Sequence, residues 1–153
     1  MIKKAPYAEE YMSEAIALGL QGIEQNEVPI GCVVVKNHQM IGRGHNKTKS
    51  LNNPLAHAEM IALASASSFL GDWRLNECDL FVTVEPCLMC FGAILLSRIR
   101  SIYYGISNDE TGVWTTEKLN YDVKLKTLVF HGILESQIEN IMKDFFINKR
   151  RGG

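Results

Sequence analysis

The chain has 153 residues, of which 46% are hydrophobic and 22% are charged. This length and composition are typical of a globular domain with a sizeable core, so we expect one domain over residues 1–153. The formal net charge of -1 excludes an overall basic field for nucleic-acid binding, and no apolar run is long enough to cross a membrane.

The predicted secondary structure alternates between helices and strands. Helices are assigned from apolar residues at three- and four-residue spacing, and strands from short β-branched runs between turn residues. In chain order the predicted elements are helix 6–25, strands 30–36 and 40–45, helix 57–69, strand 79–84, helix 86–97, strands 101–104 and 126–130, and helix 136–149. Pro86 is expected in the first turn of its helix and Ser136 as the N-cap of the last helix. This order predicts an α/β fold with a mixed sheet covered by helices on both faces.

The N-terminal segment has no apolar run before a small-residue cleavage site, so we expect no secretory signal. The chain has four cysteines, which in a protein without a signal point to metal or core roles rather than to disulfides. We therefore expect a cytoplasmic protein without a membrane partner.

One constellation carries chemistry: His57-Ala-Glu59, and then, after a predicted strand, Pro86-Cys87-Leu-Met-Cys90. Its histidine and two cysteines supply three metal ligands, and a structural zinc site would close the fourth position with another Cys or His. Three protein ligands leave that position open for water, as in catalytic zinc sites. The nearby carboxylate of Glu59 is then available to move protons.

Each part of this constellation has a simpler explanation when taken alone. Cys87 and Cys90 could be a redox pair, and Glu59 could be a solvated acid in the first turn of a helix. The joint pattern makes coincidence improbable and favours one zinc ion per chain. Cys32 and Cys78 lack metal-like spacing, and we expect both to be buried apolar residues.

The H-x-E…P-C-x-x-C spacing resembles that of the zinc-dependent nucleobase deaminases. Beyond this motif, nearly the whole chain resembles the bacterial tRNA-specific adenosine deaminases. The segments that carry the resemblance are E-V-P-I-G-C-V-V-V (27–35), G-R-G-H-N (42–46), N-P-L-A-H-A-E-M (53–60), D-W-R-L (72–75), T-V-E-P-C-L-M-C-F-G-A-I (83–94), S-R-I (97–99) and D-F-F-I-N-K-R-R (144–151). The resemblance implies a three-layer α-β-α, cytidine-deaminase-like fold with a five-stranded sheet.

The function implied by this resemblance is hydrolytic deamination of adenosine to inosine at the wobble position of a tRNA anticodon. Zinc-activated water would attack, with Glu59 as the proton shuttle and His57, Cys87 and Cys90 as metal ligands. The family also implies a homodimer that binds a tRNA anticodon stem-loop. Residues matching its substrate contacts are Asn46, the pocket residues Val28, Pro29 and Ile30, and the closing-helix residues Phe145, Phe146, Lys149, Arg150 and Arg151.

The sequence departs from the family pattern after Asp109, where a tryptophan, Trp114, stands in a run that commonly has small residues. We expect this residue to bear on the dimer interface or the RNA path.

Two alternatives remain open from the sequence. A deaminase of a free base or nucleoside, such as guanine or cytidine, would use the same zinc and glutamate. A catalytically silent RNA-binding subunit would use the zinc only for stability, although it would have no need of Glu59.

Overall fold

Five strands and four α-helices form the part of the chain that the computed structural model describes, residues 5–117 and 126–152. In chain order these elements are α1 (Ala8–Gln21), a short 3₁₀ helix (Ile23–Gln25), β1 (Gly31–Lys36), β2 (Gln39–His45), α2 (Ala58–Leu70), β3 (Asp79–Val84), α3 (Leu88–Leu96), β4 (Ser101–Ile106), β5 (Leu128–Phe130) and α4 (Glu135–Arg151). The predicted order of helices and strands is therefore confirmed, apart from the added 3₁₀ turn.

The strands form one mixed sheet in the order β2-β1-β3-β4-β5. β1 pairs antiparallel with β2 and with β3, whereas β3, β4 and β5 run parallel to one another. The parallel strands β3 and β4 end at Val84 and Ile106, on the same edge of the sheet. In open α/β sheets, the carboxyl edge of the parallel strands is where ligands bind.

Side chains of the central strands alternate between two buried layers, because successive residues of a strand point to opposite faces. Val34, Leu80 and Ile102 belong to a core cluster shared with α2 and α3. Phe81 and Tyr103 point the other way, into a cluster with α1 and α4. The expected three-layer α-β-α architecture with a mixed five-stranded sheet is confirmed.

Helix α2 lies very close to β2, and two glycines allow this approach. A Cβ atom at Gly42 would come within 2.3 Å of the Ala62 carbonyl oxygen, and one at Gly44 within 2.5 Å of the Ala58 carbonyl oxygen. Small alanines on α2 complete the fit, with Ala58 and Ala62 almost fully buried. This packing fixes the start of α2 beside the end of β2.

Several predicted boundaries are wrong. Pro86 lies before α3 rather than in its first turn, because its carbonyl oxygen accepts a hydrogen bond from Val113 N–H at 3.0 Å. Ser136 lies inside α4, which follows Leu134 in a left-handed conformation, φ 54°. Tertiary packing outweighs local capping at this helix start. A Cβ atom at Gly105 would come within 2.1 Å of Ile138 Cδ1, so α4 lies tightly against β4 at this point.

Candidate active site

His57 and Cys87 occupy equivalent places, each as the N-cap residue of a helix. His57 precedes α2 and Cys87 precedes α3, both in extended backbone conformation. Cys90 lies one turn into α3, so that its side chain returns to the same point. Both helix starts carry partial positive charge and free N–H groups, which stabilise thiolates and developing negative charge on a bound ligand.

The three candidate metal ligands converge on one point. Nδ1 of His57 lies 3.6 Å from Sγ of Cys87 and 3.4 Å from Sγ of Cys90. All three ligand atoms lie within 4.8 Å of one another. A tetrahedral zinc ion with ordinary Zn–S and Zn–N bonds separates its sulfur and nitrogen ligands by about 3.5 Å. The donor set and its spacing therefore fit a zinc ion without rearrangement.

The pKa values of the two cysteine thiols, Cys87 and Cys90, shift in opposite directions. The hydrogen bond with Cys90, helped by the one with His57, outweighs the effect of burial and lowers the pKa of Cys87 to about 4. The same contact with Cys87, together with burial, raises the pKa of the Cys90 thiol. Two adjacent buried thiolates repel each other, so one retains a proton until a cation neutralises the pair. The site therefore has the electrostatics of a cation site.

Glu59 lies two residues after His57, in the first turn of α2, and its side chain is only 4% exposed. Burial raises the pKa of this carboxyl, and the hydrogen bonds from its own backbone N–H and from Cys90, with the nearby His57, only partly offset the effect. A carboxyl with a raised pKa takes up and releases protons more readily near neutral pH. The position and chemistry of Glu59 suit a proton shuttle beside a metal.

A pocket of about 130 Å³ opens over these residues. Its lining includes the metal-ligand candidates His57 and Cys87, together with Glu59, Ile30 and Asn46. Asn46 is mostly buried at the end of β2, and its backbone N–H donates to the Ile30 carbonyl oxygen at 3.1 Å. Asn46 and Ile30 therefore line the pocket, and their contact with substrate stays a prediction.

The other two residues of the predicted pocket wall lie elsewhere. Neither Val28 nor Pro29 is among the described residues that line this pocket. Pro29 is buried, and a Cβ atom added at Gly19 of α1 would come within 2.8 Å of its carbonyl oxygen. Pro29 therefore packs against α1, and its contact with substrate stays a prediction.

Besides the apolar residues Ala58 and Val84, three polar residues that line the pocket were missed by the sequence analysis: Glu85, Asn108 and Thr111. Glu85 directly follows β3, and the other two lie in the loop after β4, so all three belong to the carboxyl edge of the parallel strands. The signal that could have found Glu85 is an acid placed between an apolar strand and the P-C-x-x-C motif. Such an acid is buried with the strand end and needs hydrogen-bond partners.

The C-terminal half of α4 separates two further depressions. Phe145 is 8% exposed and lines a groove of about 640 Å³ together with Lys49, Ser50 and Lys149. Phe146 is 41% exposed and lines a second depression of about 400 Å³ with Arg150. Arg151, also exposed, ends the helix. The two phenylalanines therefore differ, since Phe145 is largely a packing residue and Phe146 faces solvent.

The remaining cysteines and Trp114 lie in the core or pack against it. Cys32 and Cys78 are fully buried, as expected for small apolar residues. Trp114 stacks on Tyr104 at 5.6 Å between ring centroids and meets Phe91 edge-on at 5.0 Å. In this structure, Trp114 has an internal role, which is to pack the loop after β4 against α3 and β4.

The sequence and the fold both match known deaminases. The MafB19-like deaminase model matches residues 7–150. A tRNA-specific adenosine deaminase of Streptococcus pyogenes serotype M18 is 41% identical over 92% of this chain and 93% of its own length. The Bacillus subtilis protein of the same name is 37% identical over 94% of this chain and 91% of its own length.

Among solved structures, a tRNA:A34 deaminase studied for A-to-I editing at the wobble position of transfer RNA is similar, with a TM-score of 0.80. The two sequences are 36% identical, and the match spans 98% of that protein and 86% of this chain. The guanine deaminase of Bacillus subtilis is more distant, with a TM-score of 0.63 and 31% identity over 74% of this chain and 70% of its own. The chain belongs to the MafB19-like deaminases and, within them, to the family of tRNA-specific adenosine deaminases.

Proposed function

We propose that this protein converts adenosine to inosine at the wobble position of a tRNA anticodon, and that residues 1–153 form one deaminase domain. The observation that carries the proposal is the convergence of His57, Cys87 and Cys90 beside the buried carboxyl of Glu59, at the floor of a small pocket. Family membership supplies the substrate class.

The reaction needs an activated water and a route for protons. His57, Cys87 and Cys90 would hold a zinc ion, which when bound would activate the attacking water. Glu59 takes the proton from that water and delivers protons to the ring nitrogen beside the attacked carbon and to the departing ammonia. One buried carboxylate with a raised pKa can serve all of these transfers, because it alternates between its two protonation states.

The pocket is suited to a single nucleobase. Its volume is about 130 Å³, so a base must leave the stack and enter alone. Asn46 offers an amide at the pocket wall, and Ile30 offers an apolar surface for one face of the base. These two residues orient the adenine ring above Glu59 and the metal ligands.

The surface beside α4 suits the RNA around that base. Lys149 and Lys49 line the same groove of about 640 Å³, and the exposed residues Arg150 and Arg151 follow on the helix. Lysine and arginine side chains here would contact phosphates, although the whole chain is near neutral. The exposed ring of Phe146 is available to stack on a splayed loop base.

The outer face of α3 supports a homodimer. Leu88 and Leu96 are 50% and 77% exposed, and Gly92 lies between them at helical spacing, where an added Cβ atom would meet nothing within 4 Å. An exposed apolar stripe beside the site residue Cys87 is typical of a subunit contact. Sedimentation of the wild type should give the dimer mass, and Leu96→Asp should shift it to the monomer.

The cytoplasm is the compartment that best suits this chain. All four cysteines are free thiols. Among the described residues, no helix combines the length and hydropathy that crossing a membrane requires. Free thiols persist in reducing compartments, where tRNA substrates are also found.

A comparison of four substrates tests the function. Purified protein is incubated with adenosine, cytidine, guanine and an adenosine-containing anticodon stem-loop, and the release of ammonia is measured. The proposal predicts a kcat/KM for the stem-loop far above that for the three small molecules. A preference for guanine or cytidine would favour the free-base alternative, and binding of the stem-loop without ammonia release would favour the silent subunit.

A further inference from the structure

Glu85 is a buried acid that the proposed chemistry does not use. It lies between the end of β3 and Pro86, and its side chain is 2% exposed. Oε2 accepts hydrogen bonds from the backbone N–H groups of Trp114 at 2.8 Å and Thr115 at 2.9 Å. Oε1 accepts one from the backbone N–H of Asn108 at 3.2 Å and another from the Thr115 hydroxyl. A single carboxylate thus holds two separate points of the segment that follows β4.

Further contacts fasten this loop, residues 107–117, to the same short segment. Gly112 pairs with Cys87 in an isolated β-bridge, and Val113 N–H donates to the Pro86 carbonyl oxygen. A Cβ atom at Gly112 would come within 2.5 Å of the Glu85 carboxyl carbon, so the loop backbone lies directly against the acid. The 107–117 loop and the segment leading to Cys87 therefore form one connected unit.

The held loop forms one wall of the reaction pocket. Asn108 and Thr111 line it together with Ile30 and Asn46. The Asn108 side chain also shapes the turn, since its amide donates to the Thr111 hydroxyl at 2.8 Å and its oxygen accepts the Thr111 N–H at 3.1 Å. The position of Asn108 relative to the metal ligands is thus set through Glu85.

We propose that Glu85 is a positioning residue for the deamination: it fixes the Asn108 wall of the pocket against the metal-ligand segment and so sets where the nucleoside lies. This inference rests on the proposed function, because the nucleoside is the one that the pocket is proposed to bind. Glu85 acts through Asn108 and does not exchange protons with the substrate.

A glutamine at position 85 can keep some of the hydrogen bonds that Glu85 accepts, but not all of them. The glutamine –NH₂ group donates and cannot accept, so wherever it lies it faces an N–H donor. If the –NH₂ group takes the place of Oε2, it faces the two N–H donors of Trp114 and Thr115. If it takes the place of Oε1, it faces only the Asn108 N–H, because the Thr115 hydroxyl can turn and accept a hydrogen bond from it. The second orientation is therefore the favourable one. Glu85→Gln therefore keeps the bonds to Trp114 and Thr115 and releases Asn108.

The test combines amide exchange with kinetics on the anticodon stem-loop. In Glu85→Gln we expect faster hydrogen exchange at Asn108 N–H, retained protection at Trp114 and Thr115, and unchanged zinc content. The KM should rise about tenfold or more, as for loss of a hydrogen bond to a charged group, with a smaller change in kcat. Glu117→Gln makes the same chemical change at an exposed position of the same loop and should match the wild type.

A double-mutant cycle tests the route through Asn108. In an Asn108→Ala background, Glu85→Gln should raise KM by a much smaller factor, because both changes act on one wall. The proposal would be overturned if Glu85→Gln raised KM by the same factor in both backgrounds. It would also be overturned if KM were unchanged and kcat fell in proportion to lost zinc. Glu85→Asp keeps the charge but withdraws the carboxylate by one methylene from the Asn108 N–H, and it is the second variant if Glu85→Gln folds poorly; an unchanged KM there, with unchanged exchange at Asn108, would also count against the proposal.

Failure of the proposed function gives a different result. If the wild type does not deaminate the stem-loop, the substrate assignment fails, whatever the amide exchange shows. If the wild type is active but Glu85→Gln matches it in KM and in exchange at Asn108, only the role of Glu85 fails.

Discussion

Sγ of Cys90 lies 3.4 Å from Nδ1 of His57, although the two residues are 33 positions apart in the chain. The contact exists because α2 and α3 begin at the same edge of the sheet, one after β2 and the other after β3. The close packing of α2 on Gly42 and Gly44 fixes one of these helices. The metal-ligand geometry is therefore a property of the whole sheet edge.

The first prediction concerns the metal. Cys87→Ser removes one thiolate from a three-ligand site, so elemental analysis should show strongly reduced zinc per chain, with loss of stem-loop deamination. Cys78→Ala is the matched control, because this cysteine is buried away from the ligand group, and it should retain its zinc. Full zinc occupancy in Cys87→Ser would remove Cys87 from the ligand set.

The second prediction concerns the proton shuttle. Glu59→Gln keeps the shape of the side chain but cannot exchange protons, so kcat should fall by roughly 10²- to 10⁴-fold or more. Zinc content and melting temperature should stay close to those of the wild type. Glu14→Gln, an exposed change on α1, should leave kcat unaltered. Near-normal turnover in zinc-loaded Glu59→Gln would exclude Glu59 from the mechanism.

The third prediction concerns the groove beside α4. Lys149→Ala should raise the KM for the stem-loop and reduce the slope of log affinity against log salt by about 0.7, the value for one lost contact with single-stranded phosphate. Lys126→Ala is the control, because Lys126 is exposed near the opposite edge of the sheet, before β5. An unchanged salt slope in Lys149→Ala would mean that Lys149 is only a solvated residue.

Glu27 holds the loop on the other side of the pocket, between β2 and α2. Its carboxylate accepts hydrogen bonds from the backbone N–H groups of Lys49 and Ser50, both at 3.1 Å, and from the Ser50 hydroxyl at 2.9 Å. Burial raises the pKa of this carboxyl, but the bonds from Ser50 and Lys49 outweigh burial and leave the pKa below its ordinary value. Folding therefore favours the ionised form of Glu27.

The fourth prediction follows from this shift. A carboxyl with a lower pKa in the folded state stabilises the fold fully above the pKa it has when unfolded, about 4.3, and the stabilisation is lost as pH falls through the lower folded pKa. Glu27→Gln should therefore lower the free energy of unfolding by about 1–3 kcal/mol at pH 7. The difference from the wild type should stay constant down to about pH 5 and shrink below about pH 4. Urea unfolding at several pH values measures it, and a difference that grows in acid would contradict the assigned bonds.

The features that the sequence predicted well are local. The apolar run of β3 has the bounds that were expected, residues 79–84. The H-x-E and C-x-x-C spacings each place one residue at the N-cap of a helix and the other in its first turn. Such patterns depend on neighbours a few residues apart, which the sequence displays directly.

The features that the sequence did not predict depend on distant partners. Glu85 and Glu27 look like ordinary surface acids until the backbone N–H groups that they bind, 23 to 30 and 22 to 23 residues away, are seen. Trp114 was expected to bear on the dimer interface or the RNA path, and nothing in the sequence indicated that it stacks on Tyr104 of β4 within the same chain. Local propensity carries no information about such contacts, which arise only when the sheet edge is assembled.

The most direct measurement is the position of inosine in a reacted anticodon stem-loop, mapped by mass spectrometry. Two stem-loops are compared, one with adenosine at the wobble position and one with the same adenosine moved to the next anticodon position. With the wild type we expect inosine at the wobble position only, and with Glu59→Gln we expect none. Equal conversion at both positions, or ammonia released from free guanine or cytidine with no inosine in either RNA, would contradict it.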